Sequence, residues 1–228
     1  MITDSTYYKG DIHIPNVVNA APSVNDISND SELQFFISEY EREVLIKLLG
    51  YNLYKEFSEQ FDVDANGKWT IKPAADQKWK DLLNGTEYTI DTVTYNFRGL
   101  IFSEGLGTSL IQRSLLSYYV YFNFLSNDVD HYASIGVQAE TAKNADRVSA
   151  IPKAVNAWSK FFQLAVGNYN TPYYVTNASG MTGIDWFGCD NSGERSLYEY
   201  LNDINTQTPD TYEDWKPQRL ENINQFGI

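Results

Sequence analysis

The sequence holds one cysteine, Cys189, among 228 residues, which excludes an internal disulfide, and without a C-x-x-C pair there is no thiolate zinc site. Its two histidines, His13 and His131, lack an H-x-x-x-H partner. A histidine-rich metal centre is therefore excluded, and a Ser-His-Asp triad would have only the isolated His131 and no nucleophile elbow. Basic residues are also scarce, 17 Lys and Arg against 30 Asp and Glu, for a formal net charge of -13. Such a balance repels a phosphate backbone and disfavours a DNA-gripping role, but it suits the wall of a channel through which DNA must slide without sticking. No apolar run approaches the length of a membrane span, and the opening MITDSTYYKGDIHIP has neither a basic n-region nor an apolar h-region. The expectation is a soluble chain without a leader or membrane contact, in which the N-x-S/T triplets at Asn29, Asn84 and Asn177 are chance matches. No internal repeat recurs at a solenoid period.

What the chain does have is apolar and aromatic content, 43% and 15%, with 17 Tyr and 5 Trp. That is far from a disordered composition and enough to build one sizeable core. Tyr and Trp combine large contact area with a polar tip, which serves cores, wet interfaces and sugar stacking alike.

Residues 1–30 alternate Asn, Asp, Ser and Pro with isolated Ile and Val and read as an extended arm. From Asn29 to Ser31 a run of N-cap residues precedes a stripe of Leu33, Phe36, Ile37, Tyr40, Val44, Leu45 and Leu48 at helical spacing. Glu39, Glu41, Arg42, Glu43 and Lys47 mostly fall on its other face, and Gly50 supplies a C-cap. A second helix carries Leu53, Phe57 and Phe61, and a third, from Ala74 to about Leu83, carries Trp79. EYTIDTVTYNF alternates with period two and reads as an inserted hairpin. From Thr108 to Leu125 the spacing predicts one helix, apolar almost all round after Arg113, which must be surrounded by other helices or a partner. A polar stretch follows, then a clean helical stripe from Ile151 to Val166, a long aromatic loop region, a short helix from about Glu194 to Ile204 and a polar tail. The expected fold is mainly α: a small helical bundle with inserted short β-hairpins and extended N- and C-terminal arms. It divides into an arm (1–30), a core (31–167) and a C-terminal region (168–228).

Three local motifs invite chemistry. DVDANG places Asp62, Asp64, Asn66 and Gly67 as in the first half of a calcium loop, but Pro73 stands where the bidentate Glu belongs, with Asp76 as a non-standard substitute. The competing reading is a tight type I′ turn at Asn66-Gly67, which needs no metal. SEGLGTSL offers Gly105, Gly107 and Thr108 but places Leu110 where a third glycine would fall, and reads as a flexible helix entry. Glu39, Glu41 and Glu43 provide carboxylates for acid and base work, yet Glu43 and Lys47 have the order of a helical ion pair on a solvated face. No cofactor site emerges.

The order FISEYEREVLIKLLGYNLYKEF, WKDLLNG with its EY hairpin, FRGL, YYVYFNFL and IGVQAETAKNADRVSAIPKAVNAW resembles the head-to-tail connector (adaptor or ring) proteins of tailed phages of the crAss-like kind, over residues 31–167. The resemblance implies a virion protein at the head-to-tail junction, usually twelve copies in a homo-oligomeric ring that binds the portal protein and further tail or ring proteins. Packaged DNA would pass through its channel without specific binding. It implies no catalytic residue and no cofactor, and so not an enzyme. Gly136, Val137, Glu140, Asn144 and Arg147 would lie in an arm touching a neighbour, and Tyr173, Tyr174, Trp186 and Phe187 in the aromatic loop are further contact candidates. The alternative from the residues alone is a carbohydrate-binding module with Trp186, Phe187, Tyr173 and Tyr174 as stacking platforms; a hydrolase built on Glu39 and Glu43 ranks last.

Overall fold

The computed structural model describes residues 1–14, 29–65, 67–106, 109–128, 131–133, 136–138, 151–167 and 193–220. Two 3₁₀ turns, Ser5–Tyr7 and Gly10–Ile12, come first. They are followed by α1 (Asn29–Leu49), α2 (Tyr51–Ser58), β1 (Phe61–Val63), β2 (Trp69–Ile71), α3 (Gln77–Asn84), β3 (Thr86–Ile90) and β4 (Val93–Phe97). The chain continues through β5 (Ile101–Leu106), β6 (Ser109–Ser114), α4 (Leu115–Asp128), β7 (His131–Ala133), β8 (Gly136–Gln138), α5 (Ile151–Ala165), β9 (Glu194–Arg195) and α6 (Leu197–Gln207).

The fold is mixed α/β, which corrects the expectation of a mainly helical bundle. Seven strands in three small sheets accompany the helices, and β7–β8 form a further antiparallel pair. The largest departure is β5–β6, an antiparallel hairpin running from the Ile101↔Ser114 pair to the Leu106↔Ser109 pair. SEGLGTSL is thus the head of a hairpin, and the helix read from Thr108 starts only at Leu115. The cause is tertiary: Ser114 sits wholly buried and donates its hydroxyl to Leu100 O at 2.7 Å, while its Oγ accepts the Leu116 N–H at 3.1 Å, so the chain turns from strand to helix on that side chain.

The extended N-terminal arm is corrected as well for residues 1–14. Ile2, Tyr7, Tyr8, Ile12 and Ile14 are buried in the common core. At the other end α6 and residues 208–220 also pack on it, with Tyr212 only 1% exposed.

α4 lies between α1 and α5. Tyr119 of α4 meets Tyr40 of α1 and Phe161 of α5, and Phe36 meets Phe124, all with ring centroids within 6.4 Å. The all-round apolar surface of α4 is therefore covered from within the chain. A second row of rings runs Phe61, Phe57, Trp79, Tyr212, Tyr200, Phe97, with neighbouring centroids 4.3–6.2 Å apart, and joins α2, α3, α6 and β4. Two of the buried tyrosines give their hydroxyls to backbone carbonyls: Tyr212 donates to Lys78 O at 2.7 Å and Tyr198 to Gln218 O at 3.0 Å.

β3–β4 is the inserted hairpin that the alternation in EYTIDTVTYNF predicts, closing at Ile90↔Val93 with Asp91 and Thr92 both at positive φ, 45° and 76°. β9 adds in parallel to β4. Gly85 (φ 87°) and Gly99 (φ 89°) let the end of α3 and the end of β4 touch; a Cβ on Gly99 would stand 2.3 Å from the Gly85 nitrogen. Such an approach is open only to glycine.

Candidate functional site

Two constellations stand out among the described residues. The first is built on Glu41, which is 3% exposed. α1 presents it one turn after Ile37 and one turn before Leu45, so it belongs to the buried stripe, and the expectation that it shares a solvated face with Glu39 is corrected. Its carboxylate accepts the N–H groups of Ile2 and Thr3, both at 2.8 Å, and the Thr3 hydroxyl. Desolvation by burial pushes its pKa up, against the pull of those donors and of the Met1 ammonium. Beside it the Tyr8 hydroxyl is fully buried, and desolvation drives its pKa well above the ordinary value.

The rest of the N-terminal segment is held by charges. Lys68 Nζ reaches Asp4 Oδ2 at 2.8 Å, and Arg113 and Lys160 meet Asp11 at 2.9 and 2.5 Å. Arg113 also donates to Lys9 O at 2.7 Å, and the Tyr118 hydroxyl donates to Asp11 at 3.2 Å. Burial would raise the Asp11 carboxyl, but the hydrogen bond from Lys160 and the Arg113 charge hold it below its ordinary value. The Met1 ammonium donates to Gly67 O, and Trp69 N–H to Met1 O at 2.7 Å, so the segment runs along the β1–β2 hairpin.

The second constellation is a cleft of about 190 Å³ between β4, β5, α5 and the start of α6, lined by Arg98, Glu104, Lys160, Glu194, Arg195 and Glu199 among others. Arg98 grips both oxygens of Glu194 through Nη2 at 2.6 and 2.8 Å and gives Nη1 to Glu104 at 2.6 Å. Arg195 lies 3.4 Å from Asp203 and stacks its guanidinium 3.9 Å from the centroid of Tyr95. Ser196, at its floor, is occupied by the α6 capping box with Glu199. Each cation here faces a carboxylate, an arrangement that ties strands to helices, and the Ser196 hydroxyl that donates to Glu199 at 2.7 Å is held in the helix cap.

The other residues singled out from the sequence fall apart in space. Glu39 is exposed. Glu43 accepts from Lys47 and from the Tyr119 hydroxyl; burial would raise its carboxyl, but these two donors, Lys47 first, hold it below the ordinary range. Asp62 and Asp64 are exposed, and Asp64 Oδ1 accepts the Lys68 N–H at 2.9 Å. The hairpin there is wider than a two-residue type I′ turn: Val63 pairs with Trp69, Asp64 N–H bonds to Lys68 O, and Gly67 (φ 77°) donates to Asp64 O. That geometry belongs to a three-residue loop with a glycine bulge. His13 is exposed just after the second 3₁₀ turn, and His131 lies in β7. Gly136 and Val137 lie in β8. Glu140, Asn144, Arg147, Tyr173, Tyr174, Trp186, Phe187, Cys189 and Asn66 lie outside the described residues.

Sequence reading missed Asp11, Lys68, Arg98, Arg113 and Lys160, whose partners are remote along the chain. For Glu41 alone a local signal existed, its place in the middle of an apolar stripe. Among the described residues no helix is long and apolar enough to cross a membrane. Compared with known proteins, the chain matches no family model, no curated protein and no solved structure.

Proposed function

We propose that the chain is a head-to-tail connector subunit of a tailed phage, joining portal and tail as one copy in a ring whose channel passes the packaged DNA. The observation that carries this reading is where exposed large apolar side chains sit. Val63 on β1, Val93 on β4 and Leu110 on β6 are 59%, 50% and 61% exposed, one on each of three hairpins, and Phe35 on α1 is 62% exposed. A ring subunit meets its two neighbours through different faces, so it needs contact residues on separate edges rather than one patch. The charge of -13 supports the reading further, since an acidic lumen repels DNA and lets it slide.

The test is mass photometry and negative-stain imaging of the purified chain, alone and with its cognate portal protein. Ring-sized particles, or rings formed on the portal, are the expected result. A chain that stays monomeric at micromolar concentration and ignores the portal would overturn the proposal.

A further inference from the structure

Asn84–Gly85 is one of two Asn-Gly pairs in the sequence. In a flexible chain such a pair loses ammonia spontaneously: the glycine nitrogen, with no Cβ beside it to hinder approach, bonds to the Asn side-chain carbonyl carbon, ammonia leaves, and a five-membered imide forms. Water then opens the imide at either carbonyl, giving Asp or isoaspartate; in isoaspartate the backbone runs through the side chain and is one methylene longer. Water enters, ammonia departs, and no other reagent takes part.

The fold opposes that ring closure in three ways. Asn84 is the last residue of α3, and closing the imide turns its Cα–C bond out of the helical range. The Gly85 N–H, whose proton must leave for the nitrogen to attack, is donated to Asp81 O at 2.8 Å. The junction is also pinned from its far side: Gly99 (φ 89°) packs so closely that a Cβ there would stand 2.5 Å from the Asn84 carbonyl carbon and 2.6 Å from Leu83 O. Leu100 N–H, bonded to Leu82 O at 3.1 Å, continues this seam, and Leu83, Phe97 and Leu100 around it are buried. Asn84 itself is exposed, but freeing the Gly85 nitrogen requires opening part of the core.

The same closeness gives the products a structural cost. A seam without room for one methyl on Gly99 has none for an added backbone methylene at residue 84. The Asp product keeps the backbone length but sets a carboxylate at the carboxyl end of α3, one turn after Asp81, where the helix dipole and the like charge both oppose it.

We propose that Asn84–Gly85 is a deamidation site silenced by the fold, so that its conversion records unfolding and holds the converted chain back from refolding. This property is independent of the connector role.

The native chain and the same chain in urea are incubated side by side at one pH and temperature, then digested, and the peptide holding Asn84 is read by mass spectrometry apart from the one holding Asn66. Conversion at Asn84 should run at least about tenfold slower in the native chain. Equal rates would overturn the silencing. The converted sample is then refolded and given a brief protease pulse at the parent's urea midpoint, which removes unfolded chains; isoaspartate at 84 should be about tenfold scarcer among the survivors. An undiminished share of isoaspartate there would overturn the block on refolding. Gly99→Ala, incubated without urea, should convert several-fold faster than the parent, and an unchanged rate would overturn the role of the seam.

Discussion

Replacing Glu41 by Ala removes the acceptor of the N–H groups of Ile2 and Thr3 and of the Thr3 hydroxyl. Each buried polar group left without a partner costs about 1–3 kcal/mol, and water entering the vacated space recovers part of that. A net loss of about 3–5 kcal/mol follows, a large share of the 5–15 kcal/mol or so that holds a domain folded. For a chain of this size each kcal/mol lowers the melting temperature by about 2–4 °C, so Glu41→Ala should melt about 10 °C below the parent. Glu41→Gln keeps the volume and one carbonyl acceptor but turns an NH2 toward a donor, and should lose about half as much. The assay is calorimetric melting near neutral pH, with Glu39→Ala as the exposed control expected within about 0.5 kcal/mol of the parent. Amide exchange at Ile2 and Thr3 reports the local effect. Glu41→Ala melting with Glu39→Ala, its Ile2 and Thr3 amides still protected, would refute the reasoning. The sign with pH is also fixed. Because burial raises the Glu41 pKa, the native chain holds this proton more tightly than the unfolded chain does. Its contribution is full below the ordinary glutamate value and declines as pH rises through the raised one, so the parent's margin over Glu41→Gln should narrow as pH rises above the ordinary glutamate value.

Asp11 has the opposite sign: its pKa is lowered, so its contribution is present above the ordinary aspartate value and is lost as pH falls through the lowered one. Asp11→Asn should therefore flatten the acid limb of the stability curve, and an unchanged limb would count against the Lys160 and Arg113 pairing. Gly99→Ala forces a Cβ to 2.3 Å from backbone at φ 89° and should cost more than about 2 kcal/mol in a urea titration; a loss below that would mean the two chain segments can part. Thr92→Gly relieves a β-branched residue at φ 76° in the exposed β3–β4 turn and should gain about 1 kcal/mol. A loss on that substitution would mean that the Thr92 side chain makes a stabilising contact.

The parts of the fold legible in the sequence are those whose period is set locally. The stripes of α1 and α5 and the alternation in EYTIDTVTYNF come through because side-chain direction repeats every 3.6 or every two residues whatever the rest of the chain does. β5–β6 stays hidden because TSLIQRS runs straight into the apolar residues of α4, and only the buried Ser114 hydroxyl marks the change of period. The N-terminal segment carries no period at all; its place is set by Glu41, Lys68, Arg113 and Lys160, which lie far along the chain and gather only in the folded state. The candidate site was thus the least legible part, apart from Glu41, whose position on the stripe of Ile37, Val44 and Leu48 contradicts its charge.

The carboxyl end of α1 is closed by residues that come more than a hundred and sixty positions later: Trp215 donates its indole N–H to Leu48 O at 3.0 Å, Lys216 N–H bonds to Leu49 O, and Gln218 N–H to Lys47 O. A chain growing on the ribosome makes α1 early but leaves its last carbonyls without these partners until the far end has emerged. Until then the helix that also receives residues 1–14 is unfinished, so native order at α1 comes late in synthesis.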